Sequence, residues 1–281
     1  MIHFPADHTL IMGIINATPD SFSGDGVDGN IAAAVAQAVQ FAADGADILD
    51  IGAESTRPGS APITPDEEMA RLIPVITAVR AATDLPISVD TYRAAVAQAA
   101  LNAGADWVND VWGLRMDDEM AALVARAGCP VVLMHNRSKP KEVAQEETLG
   151  GRYVGSVYDN LIADVRRELE ESVAIALAAG VKKEQIILDP GIGFGKTVAQ
   201  NLELLNRLPE IKAMGYPILL GTSRKSFIGY TLDLPPDERV EGTAATVAIG
   251  IERGADIIRV HDVKIMARVA RMTDKIVASG K

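Results

Sequence analysis

One short unit, met three times, constrains this chain more than any other feature. Ala43-Asp44-Gly45-Ala46-Asp47-Ile48-Leu49-Asp50 returns as Asn102-Ala103-Gly104-Ala105-Asp106-Trp107-Val108-Asn109, and again as Glu252-Arg253-Gly254-Ala255-Asp256-Ile257-Ile258-Arg259. In each copy the glycine follows a helical stretch and can take the left-handed conformation that ends a helix. Two residues later an apolar run begins, and it closes on a polar side chain. Gly128, Gly180 and Gly215 stand at the same place before other runs. A helix stop followed at once by a buried strand, repeated along a chain, implies a parallel sheet.

Eight such runs are present, at 10–15, 47–51, 86–89, 106–111, 130–134, 185–188, 217–220 and 256–260. Between them lie Ala- and charge-rich stretches with helical spacing, such as 31–44 and 66–82. Aromatic residues are only 4% of the chain, while small and β-branched residues suit strands buried under helices. Eight strand–helix units favour a (β/α)8 TIM barrel over an open doubly wound sheet, and 281 residues suffice. No composition shift or linker marks a second domain, so one domain over 1–281 is expected. The long interruption, 136–158, holds Lys139-Pro140-Lys141 and Gly150-Gly151. It reads as a mobile loop leading into a helix over 160–179.

Composition narrows the function. With 48% hydrophobic and 23% charged residues the chain is neither disordered nor collagen-like. The net charge, 27 − 38 = −11, argues against a general nucleic-acid binder. The single cysteine, Cys129, precedes a strand and reads as a small buried hydrophobe; no intrachain disulfide is possible. Four histidines without H-x-x-x-H spacing make a protein-built zinc site unexpected. Residues 1–10 show no signal-peptide pattern, and no apolar stretch nears the ~18 residues of a membrane span. The expectation is a soluble cytoplasmic protein without membrane or nucleic-acid partners.

Every run ends in polar groups: Asn16; Asp50 and Glu54; Asp90; Asn109 and Asp110; His135; Asp189; Ser223, Arg224 and Lys225; Arg259, His261 and Asp262. Any one of these is an ordinary strand-end cap. All of them together would form the C-terminal rim where such barrels carry their active sites. Carboxylates and cations side by side suggest a substrate with donor-rich and anionic parts. Arg224 and Lys225 follow the seventh strand, the usual anion-binding quarter. In Arg259-Val260-His261, alternation aims the outer two side chains the same way.

Asp189-Pro190-Gly191-Ile192-Gly193-Phe194-Gly195-Lys196-Thr197 is not a P-loop, because Pro190 stands where the first glycine is needed. Nor is it G-x-G-x-x-G, because Lys196 takes the third glycine's place. It reads as a turn that lets backbone approach a flat ligand, with Asp189 facing the pocket. The Gly-, Pro-, Ser- and Thr-rich segments after the first two strands read as rim loops that could close over a reaction.

Together these motifs make the chain resemble the dihydropteroate synthase family of bacterial folate biosynthesis. The carriers are Asn16-Ala17-Thr18-Pro19-Asp20-Ser21-Phe22-Ser23, Glu54-Ser55-Thr56-Arg57-Pro58-Gly59, Ser88-Val89-Asp90-Thr91 and Val108-Asn109-Asp110-Val111. Further carriers are the 188–196 segment, Gly221-Thr222-Ser223-Arg224-Lys225-Ser226 and Arg259-Val260-His261-Asp262-Val263. The resemblance spans 12–263. It implies the same barrel, a homodimer, a sulfonamide target, and Mg²⁺ as cofactor. The implied reaction joins 6-hydroxymethyl-7,8-dihydropterin diphosphate to 4-aminobenzoate, giving 7,8-dihydropteroate and pyrophosphate.

By the same resemblance Asp90, Asn109, Val111, Met134, Asp189, Phe194, Gly221 and Lys225 would hold the pterin. Asn16, Thr56, Arg259 and His261 would hold the diphosphate, with Asn16 also on the metal. Phe22, Arg57, Pro58 and Ser226 would shape the aminobenzoate site. Asp90, Lys225, Arg259 and His261 would carry catalysis. The implied mechanism is dissociative: pyrophosphate leaves first, then the aryl amine attacks the methylene cation. Two stretches depart from the family, the longer insert after Met134-His135 and the continuation Gly24-Asp25-Gly26-Val27-Asp28-Gly29 of the first loop. Two other functions compete. A pterin-dependent corrinoid methyltransferase domain would not be expected to keep both Ser223-Arg224-Lys225 and the Arg259/His261 pair. A non-catalytic pterin-binding paralogue would not need Asn16, Arg259 and His261 intact.

Overall fold

The computed structural model describes residues 8–17, 27–54, 63–138, 143–146, 148–153 and 155–280. Phe22, Thr56, Arg57 and Pro58 therefore lie outside the described residues.

Eight parallel strands form the sheet: β1 (Leu10–Asn16), β2 (Ile48–Gly52), β3 (Ile87–Asp90), β4 (Trp107–Asp110), β5 (Val131–Met134), β8 (Ile186–Asp189), β9 (Leu219–Leu220) and β10 (Ile257–Val260). Each falls within or beside one of the eight apolar runs. Their spatial order is β8-β5-β4-β3-β2-β1-β10-β9. The ring closes where Leu188 donates its N–H to the Pro217 carbonyl at 2.9 Å and bridges Ile218. Helices run between successive strands, from α1 (Val27–Asp44), α2 (Pro65–Ala82), α3 (Ala94–Asn102) and α4 (Met120–Ala127) through α5 (Leu161–Ala178) and α6 (Val198–Asn206). The short α7 (Leu208–Lys212) and α8 (Ser226–Leu232) follow, then α9 (Val240–Glu252) and α10 (Val263–Ser279). None of the described helices is long and apolar enough to cross a membrane.

The period-two alternation of the strands divides the core in two. Ile11, Ile15, Leu49, Ile51, Val89, Val108, Leu133, Leu188 and Ile258 pack outward against the helices. Leu10, Met12, Ile48, Trp107, Val132, Ile187, Leu219 and Ile257 form a separate plug inside the barrel. One step further along each strand, the same inward face carries Asp50, Asp90, Asn109, Met134, Asp189 and Arg259. A barrel this narrow is filled with side chains, so these polar groups stand on an apolar floor.

The repeated unit has two structural roles. Gly104 ends its helix with φ +112°, and a Cβ there would sit 2.9 Å from Arg80 Cγ. The aspartate two residues on stitches neighbouring strands together at the barrel's N-terminal face. Asp47 Oδ2 accepts from the Ile11 N–H at 2.8 Å, Asp106 Oδ2 from Ile87 at 2.9 Å, and Asp256 Oδ2 from Ile218 at 2.7 Å.

The interruption after the fifth strand differs from the loop expected of it. It contains an antiparallel hairpin, β6 (Val143–Glu146) and β7 (Gly150–Tyr153), with Val143 opposite Tyr153. The strands are four residues each and lack clean apolar alternation, which hides them from sequence. Tertiary contacts hold the hairpin: Arg239 Nη2 donates to the Leu149 carbonyl at 2.9 Å, and the Tyr230 hydroxyl to that of Gly150 at 3.3 Å. The expected helix follows, with Asn160 capping it through the Ala163 N–H.

Candidate functional site

Arg259 organises the rim. Its guanidinium donates from Nε to Asp50 Oδ2 at 2.6 Å and from Nη2 to Asp90 Oδ2 at 2.7 Å. Asn109 Nδ2 donates to the same Asp50 oxygen at 3.2 Å. Asp50 is fully buried, and its other oxygen, Oδ1, has no hydrogen-bond partner among the described residues. Its place on the inward face follows from alternation, but its partnership with Arg259 could not be read from sequence. The arrangement links residues expected at the pterin (Asp90, Asn109) to one expected at the diphosphate.

Asp189 ends β8 on the same face. Its Oδ1 accepts from the Gly191 N–H at 2.7 Å. Lys225 Nζ donates to the Ile192 carbonyl and lies 4.5 Å over the Phe194 ring. Phe194 is in turn stacked at 6.0 Å, 30° between planes, on Tyr153 of the hairpin. Gly221 sits between two cations: a Cβ there would be 3.9 Å from Arg259 Cβ and 4.0 Å from Lys225 Nζ. Val111, the residue after β4, and Met134, the last of β5, are both buried.

Burial governs the charges. It raises the Asp90 carboxyl to about 7, against the pull of Arg259. It also raises Asp189, opposed by Lys225, and lowers Lys225 to about 8. Such perturbed acids and bases, gathered at the C-terminal end of a barrel, mark a site built for ligand contacts.

Not every rim group converges. Arg224, which its motif places among the anion contacts, pairs bidentately with Asp262 at 2.9 and 2.6 Å. That leaves Lys225 as the cation of its motif available to the pocket. His261 meets Ser223: the Ser223 hydroxyl accepts from the His261 N–H at 3.2 Å and lies 2.9 Å from Nδ1. If that hydroxyl donates to Nδ1, the ring proton sits on Nε2 as a donor. Ser226 is the half-buried first residue of α8.

The glycine turn packs closely on its neighbours. Gly191, Gly193 and Gly195 all have positive φ. A Cβ on Gly191 would lie 1.8 Å from the His135 carbonyl oxygen, and one on Gly195 2.6 Å from the Arg137 carbonyl carbon. What approaches Gly191 and Gly195 is the chain leaving β5, while a Cβ on Gly193 would lie 2.8 Å from Lys225 Cδ.

A metal can be tested against the donors. No group of three or more His, Cys, Asp or Glu suited to a metal occurs among the described residues. The Asn16 amide, on the inward face at the end of β1, is half-buried and hydrogen-bonds none of the described residues. One amide oxygen with diphosphate and water oxygens is a donor set a hard cation accepts.

Comparison with known proteins points the same way. The family described as pterin binding enzyme matches residues 12–261. The dihydropteroate synthase of Bacillus subtilis is 49% identical over 274 residues, covering 98% of this chain and 90% of its own. That of Clostridium beijerinckii is 50% identical, covering 96% and 95%. The crystal structure of the Clostridium difficile dihydropteroate synthase, solved in the presence of pteroic acid, superposes with TM-score 0.89 at 47% identity, covering 98% and 99%. The Xanthomonas albilineans enzyme in complex with 7,8-dihydropteroate superposes with TM-score 0.85 at 39% identity, covering 97% and 95%.

Proposed function

The chain belongs to the pterin-binding enzymes, among the dihydropteroate synthases, and on that premise we propose how its rim residues divide the work. It condenses 6-hydroxymethyl-7,8-dihydropterin diphosphate with 4-aminobenzoate, releasing pyrophosphate and giving 7,8-dihydropteroate. The observation that carries the division is the inward ring of Asp90, Asn109, Asp189, Lys225 and Arg259 over the apolar plug.

A pterin edge offers amine and amide donors and a carbonyl. Asp90 and Asp189 accept from the donors, Asn109 pairs with the ring edge, and Lys225 donates to the carbonyl. Val111, Met134, Phe194 and Gly221 pack around the ring. Arg259 and His261 donate to the diphosphate, where Thr56 and Asn16 also reach it. Phe22, Arg57, Pro58 and Ser226 shape the aminobenzoate site.

Mg²⁺, held by Asn16 together with diphosphate oxygens, would neutralise charge on the departing pyrophosphate. Arg259 and His261 stabilise the same growing charge from the protein side. The carboxylate of Asp90 faces the methylene cation delocalised into the dihydropterin ring. An aryl amine is already neutral at pH 7, so its attack needs no strong base. The loops after β1 and β2 would exclude water from the cation. A homodimer in the cytoplasm completes the reading.

The purified protein, Mg²⁺ and both substrates should release pyrophosphate and dihydropteroate in equal amounts. No release at micromolar enzyme would refute the reading, and methyl transfer to a corrinoid instead would favour the methyltransferase alternative.

A further inference from the structure

We propose that Lys196 is a positioning residue of the pterin site, fixing the 191–195 turn so that it presents Asp189 and Phe194. The proposal rests on the assignment of those two residues to the pterin.

Lys196 is 3% exposed, and its ammonium meets three acceptors. These are the Gly191 carbonyl at 2.8 Å, the Phe194 carbonyl at 3.1 Å and His135 Nδ1 at 3.0 Å. An ammonium carries three protons, so none remains for a substrate. That separates Lys196 from Lys225 in role. Burial pushes the Lys196 ammonium down to about 7, with Asp189 opposing the shift, and it is the charged form that makes all three hydrogen bonds.

The link to the pterin is one peptide long. Gly191 accepts from Lys196 through its carbonyl and donates its N–H to Asp189 Oδ1. This leaves Asp189 Oδ2 as the oxygen to meet a ligand. Phe194, whose carbonyl Lys196 also holds, carries its ring beneath Lys225. Two pterin contacts thus hang on one ammonium.

The other end is anchored in the barrel wall. Burial, with Lys196 beside it, pushes the His135 imidazole down to about 3, so the ring is neutral. Nε2 then donates to Glu168 Oε2 on α5 at 3.1 Å, and the Nδ1 lone pair faces Lys196. Burial works to raise Glu168, but hydrogen bonds from His135 and Arg137 outweigh it and hold the carboxyl low. Arg137 Nε reaches Glu168 Oε1 at 2.8 Å. A positive φ at Gly191 and the Cβ-excluding contact with His135 keep the turn against this anchor.

Steady-state kinetics test the role. Lys196→Met should raise KM for the dihydropterin diphosphate roughly tenfold or more, the scale of a misplaced contact. KM for 4-aminobenzoate at saturating pterin should stay as in the parent enzyme. A merely structural lysine would lower the active fraction, hence Vmax, and leave both KM values alone; that result overturns the proposal. Should Lys196→Met fail to fold, a His135 pair decides. His135→Leu removes the acceptor and should raise pterin KM, while His135→Asn keeps an oxygen near Nδ1 and should restore it; equal values for the two overturn the proposal. Lys225→Ala runs alongside. An unchanged pterin KM there refutes the pterin-site assignment itself, whereas a raised KM there with none in Lys196→Met refutes only the role of Lys196.

Discussion

Arg259 Nη2 lies 2.7 Å from Asp90 Oδ2, although 169 residues separate them in the chain. The cation assigned to the diphosphate is thereby paired with a carboxylate assigned to the pterin. Both groups must exchange this partner for substrate atoms, and a substrate that carries pterin and diphosphate together supplies both replacements at once. The free pterin alcohol supplies only one. It should bind more weakly than the diphosphate by more than the 4-aminobenzoate affinity changes, as titration calorimetry would show.

Asp50 should matter without touching the substrate. Asp50→Asn weakens the acceptor for Arg259 Nε and Asn109 Nδ2 in a fully buried place. A loss of about 1.5–3 kcal/mol is expected for hydrogen bonds to a charged group. Urea denaturation measures it, and KM for the diphosphate substrate should rise in parallel.

The pH dependence follows from Asp90 and Lys225. Asp90 must be ionised to accept from a pterin, and burial raises it to about 7. Lys225 must be protonated to donate, and burial lowers it to about 8. kcat/KM for the dihydropterin diphosphate should therefore form a narrow bell, falling below about 7 and above about 8. Stability should run the other way on the acid side. A folded carboxyl raised above its unfolded value contributes stability that is full below about 4 and lost as pH rises through about 7. Asp90→Asn should flatten that slope in a series of melts.

Asn16→Ala should raise the Mg²⁺ concentration needed for half-maximal rate, because the proposed metal site would lose the Asn16 oxygen. The pterin alcohol, which has no diphosphate, should bind the variant and parent alike. A Mg²⁺ titration of both proteins checks this.

Asp256→Ala should cost stability alone. It leaves the fully buried Ile218 without its N–H acceptor and Lys212 without its partner at 2.5 Å. About 1–3 kcal/mol is expected. The residue lies at the opposite end of the strands from the rim, so KM values should not move.

Two glycines of nearly equal φ should respond unequally to alanine. Gly128 has φ +67° with nothing within 4 Å of a Cβ, so Gly128→Ala should cost only about 1–2 kcal/mol of backbone strain. Gly191 has φ +71°, and its Cβ would collide with the His135 carbonyl. Gly191→Ala should give little soluble protein, and thermal melts of the two variants would rank them.

Whatever repeats within a few residues could be read from the chain alone. The Gly-Ala-Asp unit fixed where helices stop and strands begin, because a left-handed cap is a property of one residue. Strand alternation put Asp50, Asp90, Asn109, Asp189 and Arg259 on one inward face, because the side-chain period of a strand is two. Tertiary structure decided the partners. The sheet order sets β10 beside β1, which brings Arg259 to Asp50 across 209 residues. Tertiary structure turns Arg224 to Asp262, and folds the insert into a hairpin whose Tyr153 supports Phe194. It also joins Lys196 to His135 through a turn whose glycines make room for backbone. Such pairings depend on which strands become neighbours and in what register, and no local period carries that information.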